Sequence, residues 1–301
     1  MPFVRRAWVV LVLVAVAVAV AAAAAQARPV AHDNRQSRDE VVRYWTADRM
    51  KNATPTERIV GQSPKAKPGG GKGKPGGGTA AGTATEVPLP YPSAEGKVFF
   101  TDSGVNYVCS GSAILSTNES VVWTAGHCVN EGPGAYYTNF MFVPAYRDGA
   151  APYGRFVAST LLTTSSWQTS GEFGVDLGAA VVGTNESSQS LTDAVAELPL
   201  VFNSARNQSY RVYGYPAAKK FNGQRMYVCD TAWSRDDTST TPNTMGVPCN
   251  MTGGSSGGGW VTAAGSVASV VSYGYSSLKN VLFGPHQETE AQELYTAAQT
   301  Q

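Results

Sequence analysis

Short runs of apolar or alternating residues, separated by turn residues, recur from about residue 92 to the end of the chain. They include "KVFFT", "NYVCSGSAIL", "SVVWTA", "FMFVPAY", "LGAAVVG", "YRVYGYP", "MYVCDTAW" and "SVASVVSYGY". Runs of this length are typical of β-strands, and roughly 200 residues of them fit a sandwich or a pair of barrels. The pattern therefore predicts an all-β body over residues 92–301.

One helix is expected at the end of this body, in "QETEAQELYTAAQ". Acidic residues fall in its first turn, where they complement the helix dipole, and Leu294 and Ala298 lie on one face. The pattern predicts a short C-terminal helix packed through that face.

The chain opens with a basic start, "MPFVRR", followed by a long apolar run that ends in Ala-Gln-Ala. This is the pattern of a secretory signal peptide cleaved after Ala27. An uncleaved membrane anchor is the alternative, because the run is long enough to span a bilayer. We interpret residues 1–27 as a signal peptide, so the protein is predicted to be secreted, with no stable membrane association after cleavage.

Residues 28–91 are poor in core-forming side chains. The stretch "RDEVVRYWTADRM" predicts one short amphipathic helix with Val42, Trp45 and Met50 on its apolar side. It is followed by a Gly/Pro/Lys tract at about 64–83, which cannot bury enough apolar surface to offset its ordering entropy. We interpret the region as a pro-segment with a flexible linker.

Charge divides the chain near the same place. Residues 1–78 hold 13 Lys+Arg against 5 Asp+Glu, a net charge of +8, and residues 79–301 hold 10 against 17, a net charge of −7. A solvated tail and a nucleic-acid-binding arm are the alternatives for the basic front. We favour a pro-segment that is attracted electrostatically to its own domain, and we expect no nucleic-acid partner.

All four cysteines lie in the predicted body. An even number in an exported protein indicates two disulfides, and four cysteines allow three pairings. Closeness along the chain favours Cys109–Cys128 and Cys229–Cys249. Zinc is the competing interpretation, but the chain has no Cys-x-x-Cys pair and no nearby histidine cluster. We expect neither a metal nor another cofactor.

Three residues interrupt their local patterns and together suggest chemistry. His127 in "VVWTAGHCVN" is the only histidine inside the β-rich region, Asp176 interrupts the apolar run "FGVDLGAAVV", and "NMTGGSSGGGW" holds two serines among glycines. A hydroxyl becomes a good nucleophile only when a base takes its proton, and histidine is the base suited to neutral pH. A buried carboxylate then fixes the histidine tautomer.

"TAGHC", "DLGAAVV" and "GGSSGGG" resemble the three signatures of the chymotrypsin-like serine peptidases, in the family's His, Asp, Ser order. The details are most similar to exported bacterial trypsin-like and glutamyl-endopeptidase-like enzymes, over about residues 95–300. The resemblance implies two six-stranded antiparallel β-barrels with the active site at their junction. It also implies that Cys109–Cys128 is the disulfide beside the catalytic histidine.

The family pattern Gly-x-Ser-Gly-Gly decides between the serines. It identifies Ser256 as the nucleophile, and the backbone N–H groups of Gly254 and Ser256 as the oxyanion hole. Ser255 stands where trypsin-like zymogens carry an aspartate that pairs with the new N-terminus, so that activation mechanism is not expected. Gly259 replaces the family's usual proline, which is expected to loosen the turn slightly.

The resemblance places Asn250 at the floor of the primary specificity pocket and Ser272, Tyr273 and Gly274 on the strand that lines it. Asn250 is neutral, which argues against a preference for Lys or Arg. Glutamyl endopeptidases carry a histidine just before that strand, whereas this chain has Val271, so a glutamate preference is not supported either.

These observations predict a secreted, monomeric serine endopeptidase with His127, Asp176 and Ser256 as its catalytic residues. Its partners would be protein or peptide substrates and its own pro-segment, acting as an inhibitor or a folding aid. The first alternative is a peptidase-like module that binds without cutting, although such a module would usually have lost a catalytic residue. The second is an α/β-hydrolase esterase, which would need alternating strands and helices and a Ser, Asp, His order.

Overall fold

A computed structural model describes residues 28–60 and 82–301. The predicted signal peptide and most of the predicted linker, at residues 64–81, lie outside the described residues. We call residues 28–60 the N-terminal segment. None of the helices in the described ranges is both long and apolar enough to cross a membrane.

The N-terminal segment has secondary structure of its own. Its elements are β1 (Val30–Asp33), α1 (Arg38–Tyr44), α2 (Ala47–Asn52), β2 (Thr54–Pro55) and β3 (Ile59–Val60). Strand β4 (Thr85–Glu86) follows the undescribed gap. The single helix predicted here is wrong: the chain forms two. The Thr46 side chain accepts a hydrogen bond from the Arg49 N–H and begins a second helix, because hydroxyl side chains favour N-caps.

Six strands form a closed antiparallel barrel in the first half of the body. They are β5 (Glu95–Asp102), β6 (Val105–Ile114), β7 (Val121–Thr124), β8 (Thr138–Pro144), β9 (Phe156–Thr163) and β10 (Gly178–Val182). The strands follow the order β9-β10-β7-β6-β5-β8, and pairing of β8 with β9 closes the barrel. Strand β1 of the N-terminal segment adds to its outside by pairing with β9.

Eight strands build the second half. They are β11 (Ser209–Gly214), β12 (Tyr227–Ala232), β13 (Arg235–Asp237), β14 (Thr244–Pro248), β15 (Gly259–Thr262), β16 (Val267–Val270), β17 (Tyr273–Tyr275) and β18 (Leu278–Gly284). Their hydrogen bonds define two five-stranded sheets, β16-β15-β11-β12-β4 and β13-β14-β18-β17-β3. The two-barrel prediction is confirmed, and the second barrel takes one strand in each sheet from residues before 92.

Both predicted disulfides are present. Cys109 on β6 is bonded to Cys128, which ends a 3-10 turn after β7. Cys229 on β12 is bonded to Cys249, just after β14. The second disulfide therefore joins the two sheets of the second half.

The C-terminal helix returns to the first barrel. The remaining helices are α3 (Ser165–Ser170), α4 (Leu191–Ala194) and α5 (Thr289–Ala298), with 3-10 turns at Gly126–Cys128 and Phe173–Val175. Leu294 and Ala298 of α5 are buried, as predicted. Asn118 donates a hydrogen bond of 2.9 Å from Nδ2 to the Ala298 carbonyl oxygen, which satisfies one free carbonyl at the helix end.

Strand β5 carries two buried ionisable side chains. Glu95 accepts a 2.8 Å hydrogen bond from the Ser112 hydroxyl, and burial raises its pKa to about 8. The Lys97 Nζ donates to the Gly223 carbonyl oxygen at 2.8 Å, and burial lowers its pKa to about 7. Both shifts favour the neutral forms, because a charge is costly in an apolar interior.

Glu95→Gln is expected to stabilise the protein at alkaline pH. Below the pKa of an unfolded glutamic acid, Glu95 is protonated in the folded and the unfolded state, so it does not change the free energy of unfolding with pH. As pH rises from about 4.5 to 8, Glu95 ionises in the unfolded state while it stays protonated in the folded state, and the free energy of unfolding falls. A neutral amide removes this loss, on the order of 5 kcal/mol. The check is the difference in Tm between variant and wild type, which should be large at pH 9 and small at pH 5. An equal difference at both pH values would contradict it.

Candidate active site

His127 and Asp176 meet because their strands are neighbours. His127 lies in the 3-10 turn after β7, and Asp176 follows the 3-10 turn Phe173–Val175, two residues before β10 begins. The two strands pair antiparallel with Thr124 opposite Gly178, so the end of one lies beside the start of the other. Residues 49 positions apart in sequence are thereby placed in contact.

Asp176 is completely buried and uses both carboxylate oxygens. Its Oδ2 lies 2.7 Å from His127 Nδ1, and its Oδ1 accepts a 2.8 Å hydrogen bond from the His127 backbone N–H. The Ser272 hydroxyl also donates to Oδ2 at 2.5 Å. Burial alone would raise the pKa of Asp176, but the His127 charge and these hydrogen bonds outweigh it and hold the pKa below its ordinary value. A carboxylate in this position can orient the imidazole and stabilise its charged form.

The turn that carries Ser256 requires glycine. Gly254 has φ +93°, and a Cβ there would lie 2.6 Å from the Tyr215 carbonyl oxygen. Gly257 has φ +79°, and a Cβ there would collide with Thr124 and with the Ser110 carbonyl oxygen. Glycine alone accepts both the left-handed conformation and the close approach. The stretch is therefore a fixed turn of the folded body.

Strand β6 of the first barrel holds this turn. The Ser110 N–H donates to the Ser256 carbonyl oxygen at 2.7 Å, and the Ser110 hydroxyl donates to the Gly254 carbonyl oxygen at 2.9 Å. The Ser255 hydroxyl is occupied elsewhere, since it donates to the Thr252 carbonyl oxygen at 2.7 Å. Ser256 thus belongs to a turn that is fixed by hydrogen bonds from the barrel that also carries His127.

A cleft of about 620 Å³ lies beside the serine turn. Its lining includes Ser256 and all four predicted substrate-binding residues: Asn250, Ser272, Tyr273 and Gly274. The Asn250 Oδ1 accepts a 2.8 Å hydrogen bond from the Ala84 N–H, so part of this amide is already committed to the chain before β4. Val271 also lines the cleft, as its sequence position indicated.

The structure brings the three predicted catalytic residues to the junction of the two halves. His127 contacts Asp176 but makes no hydrogen bond to Ser256. Within the described ranges, His127 Nε2 is buried and makes no hydrogen bond, to Ser256 Oγ or to any other group. Because His127 Nδ1 is paired with Asp176, Nε2 is the ring nitrogen that is left to accept a proton.

Solved structures with this fold include bacterial proteases. The protease Anisep from Arthrobacter nicotinovorans is 46% identical, with a TM-score of 0.67, and the match covers 70% of this chain and 97% of that one. The thermostable serine protease AL20 from an extremophilic microorganism is 41% identical over 69% of this chain and 97% of that one, with a TM-score of 0.65. The chain belongs to the chymotrypsin-like serine peptidases.

A Glu endopeptidase shares the fold at 20% identity, with a TM-score of 0.60, over 74% of this chain and 99% of that one. Neither the protein-family models nor the curated proteins give a match. Membership of the serine peptidase family therefore stands on the two more similar structures.

In this serine peptidase, two residues near His127 have roles that the sequence did not reveal. Ser272 was predicted to bind substrate, yet its hydroxyl donates to Asp176. The Trp167 ring lies 6.3 Å from the His127 ring between centroids, and its Nε1 donates to Asn130 at 2.8 Å. A Cβ at Gly126 would lie 2.8 Å from Trp167, so the tryptophan limits where the histidine turn can move. The available signal was a single tryptophan in an otherwise polar stretch, which is too weak to assign a role.

The departure from the family pattern at Gly259 has a local cause. A Cβ at this position would lie 2.6 Å from the Ser112 Oγ and 3.2 Å from Glu95 Oε1. The buried pair of Glu95 and Ser112 therefore leaves no room for a larger residue, proline included. Gly259 accommodates that pair, and the turn before it keeps its hydrogen bonds to the first barrel.

Cys109, His127 and Cys128 form the one group with metal-ligand chemistry among the described residues, their ligand atoms lying within 4.8 Å of one another. The two sulfur atoms are bonded to each other, so neither is a thiolate. Thiolates rather than disulfide sulfurs bind zinc. This group lies in the candidate active site and does not fit a metal.

Proposed function

We propose that the protein is an exported serine endopeptidase that cuts protein or peptide substrates through His127, Asp176 and Ser256. The observation that carries the proposal is a peptide carbonyl already bound at the predicted oxyanion hole. The Gly254 N–H donates a 2.8 Å hydrogen bond to the carbonyl oxygen of Thr56 in the N-terminal segment. That oxygen stands in for the carbonyl oxygen of a scissile peptide bond, which becomes an oxyanion during attack.

The first half of the reaction forms an acyl-enzyme. His127 Nε2 takes the proton from Ser256 Oγ as that oxygen attacks the substrate carbonyl carbon. Asp176 stabilises the imidazolium through the 2.7 Å contact at Nδ1, and the N–H groups of Gly254 and Ser256 receive the negative oxygen. The imidazolium then gives its proton to the leaving amine, so the peptide C–N bond breaks and Ser256 carries the acyl group.

The second half regenerates the enzyme. A water molecule loses a proton to His127 Nε2 as it attacks the acyl carbon, and the same N–H groups stabilise the second oxyanion. Collapse releases the acid and returns the proton to Ser256 Oγ. No group beyond these side chains and the backbone donors is needed for the proton transfers.

Export and maturation complete the proposal. We place the signal peptide at 1–27 and the pro-segment before the strand Thr85–Glu86. Our sequence interpretation began the domain at residue 92, but Ala84, Val87 and Tyr91 are buried against the body. The cut that releases the pro-segment is therefore best placed before residue 82, because a later cut would break packed chain. Two disulfides and the apolar N-terminus are consistent with an oxidising, extracellular location.

A fluorophosphonate probe tests the catalytic assignment. Such a probe forms a phosphonate ester with an activated serine as fluoride leaves, and peptide mapping by mass spectrometry locates the modified residue. After release of the N-terminal segment, we expect one labelled residue, Ser256, in the wild type and in Ser255→Ala. Labelling at Ser255, or no serine labelling in folded protein, would refute the assignment.

A further inference from the structure

The N-terminal segment crosses the catalytic cleft. Thr56 is anchored on the first barrel by its N–H and its hydroxyl, which donate to the Val108 carbonyl oxygen at 3.1 and 2.9 Å. Two residues later, the Arg58 carbonyl oxygen accepts a 3.0 Å hydrogen bond from the Gly274 N–H on the second half. Between these two anchors, the Thr56 carbonyl oxygen accepts the hydrogen bond from the Gly254 N–H. A gap of about 340 Å³ under this crossing is lined by His127.

The crossing has a defined chain direction. Strand β2 pairs parallel with β6, with Thr54 opposite Tyr107, and β3 pairs parallel with β17, with Ile59 opposite Gly274. The residues before the Thr56 carbonyl therefore lie along β6, beside the Cys109–Cys128 disulfide. The residues after it run towards β17 and the cleft beside the serine turn, which Glu57 and Arg58 line in addition to the gap beside His127.

This direction is the reverse of what cleavage requires. The leaving nitrogen must lie on the side of His127, because Nε2 has to give it a proton. The acyl residue must in turn present its own side chain to the specificity cleft. In the bond between Thr56 and Glu57, the acyl part continues from the residues paired with β6, and the nitrogen belongs to the part that continues to β17 and the cleft. The acyl and amine halves are exchanged, so attack on this carbonyl would leave the nitrogen without its proton donor.

We infer that residues 54–60 are a built-in inhibitor. Their backbone occupies the oxyanion hole and the place of a substrate strand, but it runs in the reversed direction and therefore resists cleavage. The inference rests on the proposed function, since it concerns regulation of the same site. The intact chain is held inactive, and a cut in the undescribed stretch between residues 60 and 82 lets the segment leave. The inhibitor then survives as an intact peptide.

Apolar packing and hydrogen bonds hold the segment in place. Trp45 is 1% exposed, its Nε1 donates to the Asn139 carbonyl oxygen at 2.7 Å, and its ring packs 5.3 Å from the Phe99 ring between centroids. Met50 is also buried, and Tyr44 donates to Asn106 at 2.7 Å. Among the described residues, no ion pair joins 28–60 to 82–301. The attraction expected from the charge division is therefore not carried by a close ion pair among these residues.

The test uses the chain from residue 28 to 301 with residues 69–78 replaced by the recognition sequence of a site-specific protease. One preparation is divided into uncut protein and protein that is cut and then diluted to nanomolar concentration. Tethering gives the segment an effective concentration near millimolar, which dilution of the cut protein removes. We measure the rate of fluorophosphonate labelling of Ser256 and the hydrolysis of dye-labelled denatured casein. The expected difference is at least about 100-fold in favour of the cut protein.

Variants of the uncut chain test the docking contacts. Trp45→Ala should raise the labelling rate by roughly 100-fold, because truncation of a buried tryptophan weakens docking. Lys51→Ala, an exposed position on α2, should stay within about twofold of the parent. If Trp45→Ala does not fold, Met50→Ala provides a smaller truncation at the same interface and should raise the rate by a smaller factor.

Peptide mapping tests the reversed direction. After prolonged incubation of the cut protein at high concentration, the segment should keep its bond between Thr56 and Glu57 while casein is degraded. Peptides that end at Thr56 and accumulate at the rate of casein cleavage would overturn the inference, and so would equal labelling of cut and uncut protein. Absence of Ser256 labelling in every folded sample would instead refute the proposed function itself.

Discussion

Replacing Ser256 with alanine is expected to lower kcat by about a million-fold, once the N-terminal segment has been released. The reason is that no other hydroxyl at the serine turn can replace it. Ser255 is its neighbour, but the Ser255 hydroxyl is 2.7 Å from the Thr252 carbonyl oxygen and the side chain is 1% exposed. The measurement is kcat on a peptide mixture or on casein, with release by an engineered cut in the linker so that maturation does not depend on activity.

Ser255→Ala is the matched control for this prediction. It removes one buried hydrogen bond at a cost of about 1 kcal/mol, and the Thr252 carbonyl oxygen keeps the N–H of residue 255 as a donor. Activity should therefore stay within about tenfold of the wild type. An inactive Ser255→Ala beside an active Ser256→Ala would reverse the assignment of the nucleophile. Equal Tm values for the two variants would show that the difference lies in chemistry and not in folding.

The proposed catalytic side chains could be picked out from the sequence because each one breaks a pattern. A carboxylate just before the apolar run of β10 and a histidine in the turn after β7 are costly to bury unless they are paired. The glycine-rich turn could also be predicted, because clustered glycines indicate backbone conformations that other residues adopt poorly. In the structure, Gly254 and Gly257 have positive φ values. The sequence patterns did not show which of these residues lie close together. The antiparallel pairing of β7 with β10, seen only in the structure, places Asp176 against His127.

The path of the N-terminal segment could not be predicted in the same way. Residues 54–60 bind mainly through backbone hydrogen bonds, which any side chain can make, so composition carries no signal for them. The charge division suggested docking by ionic attraction, whereas no ion pair joins residues 28–60 to the described body, and apolar packing and hydrogen bonds make the contacts. The break between α1 and α2 was missed because Thr46 also fits an amphipathic helix, and its capping role depends on the local backbone.

Asp176→Asn is expected to lower kcat by about ten-thousand-fold near neutral pH while the protein stays folded. An amide at this position still offers an oxygen to the His127 backbone N–H, so the turn keeps its shape. The amide nitrogen then faces His127 Nδ1 and donates to it, which moves the ring proton to Nε2. A protonated Nε2 cannot take the proton from Ser256.

The control for this change is Ser272→Ala, which removes one donor to Asp176 and leaves the carboxylate on His127. Its expected effect on kcat is about tenfold, the size of one charge-assisted hydrogen bond. Fluorophosphonate labelling should slow in parallel with kcat for both variants, since both changes affect how well Nε2 can take the proton from Ser256. If Asp176→Asn retained wild-type kcat, the carboxylate would not set the tautomer and its burial would be structural. If Ser272→Ala were as damaging as Asp176→Asn, the ring would depend on the whole network around Asp176 and not on its charge.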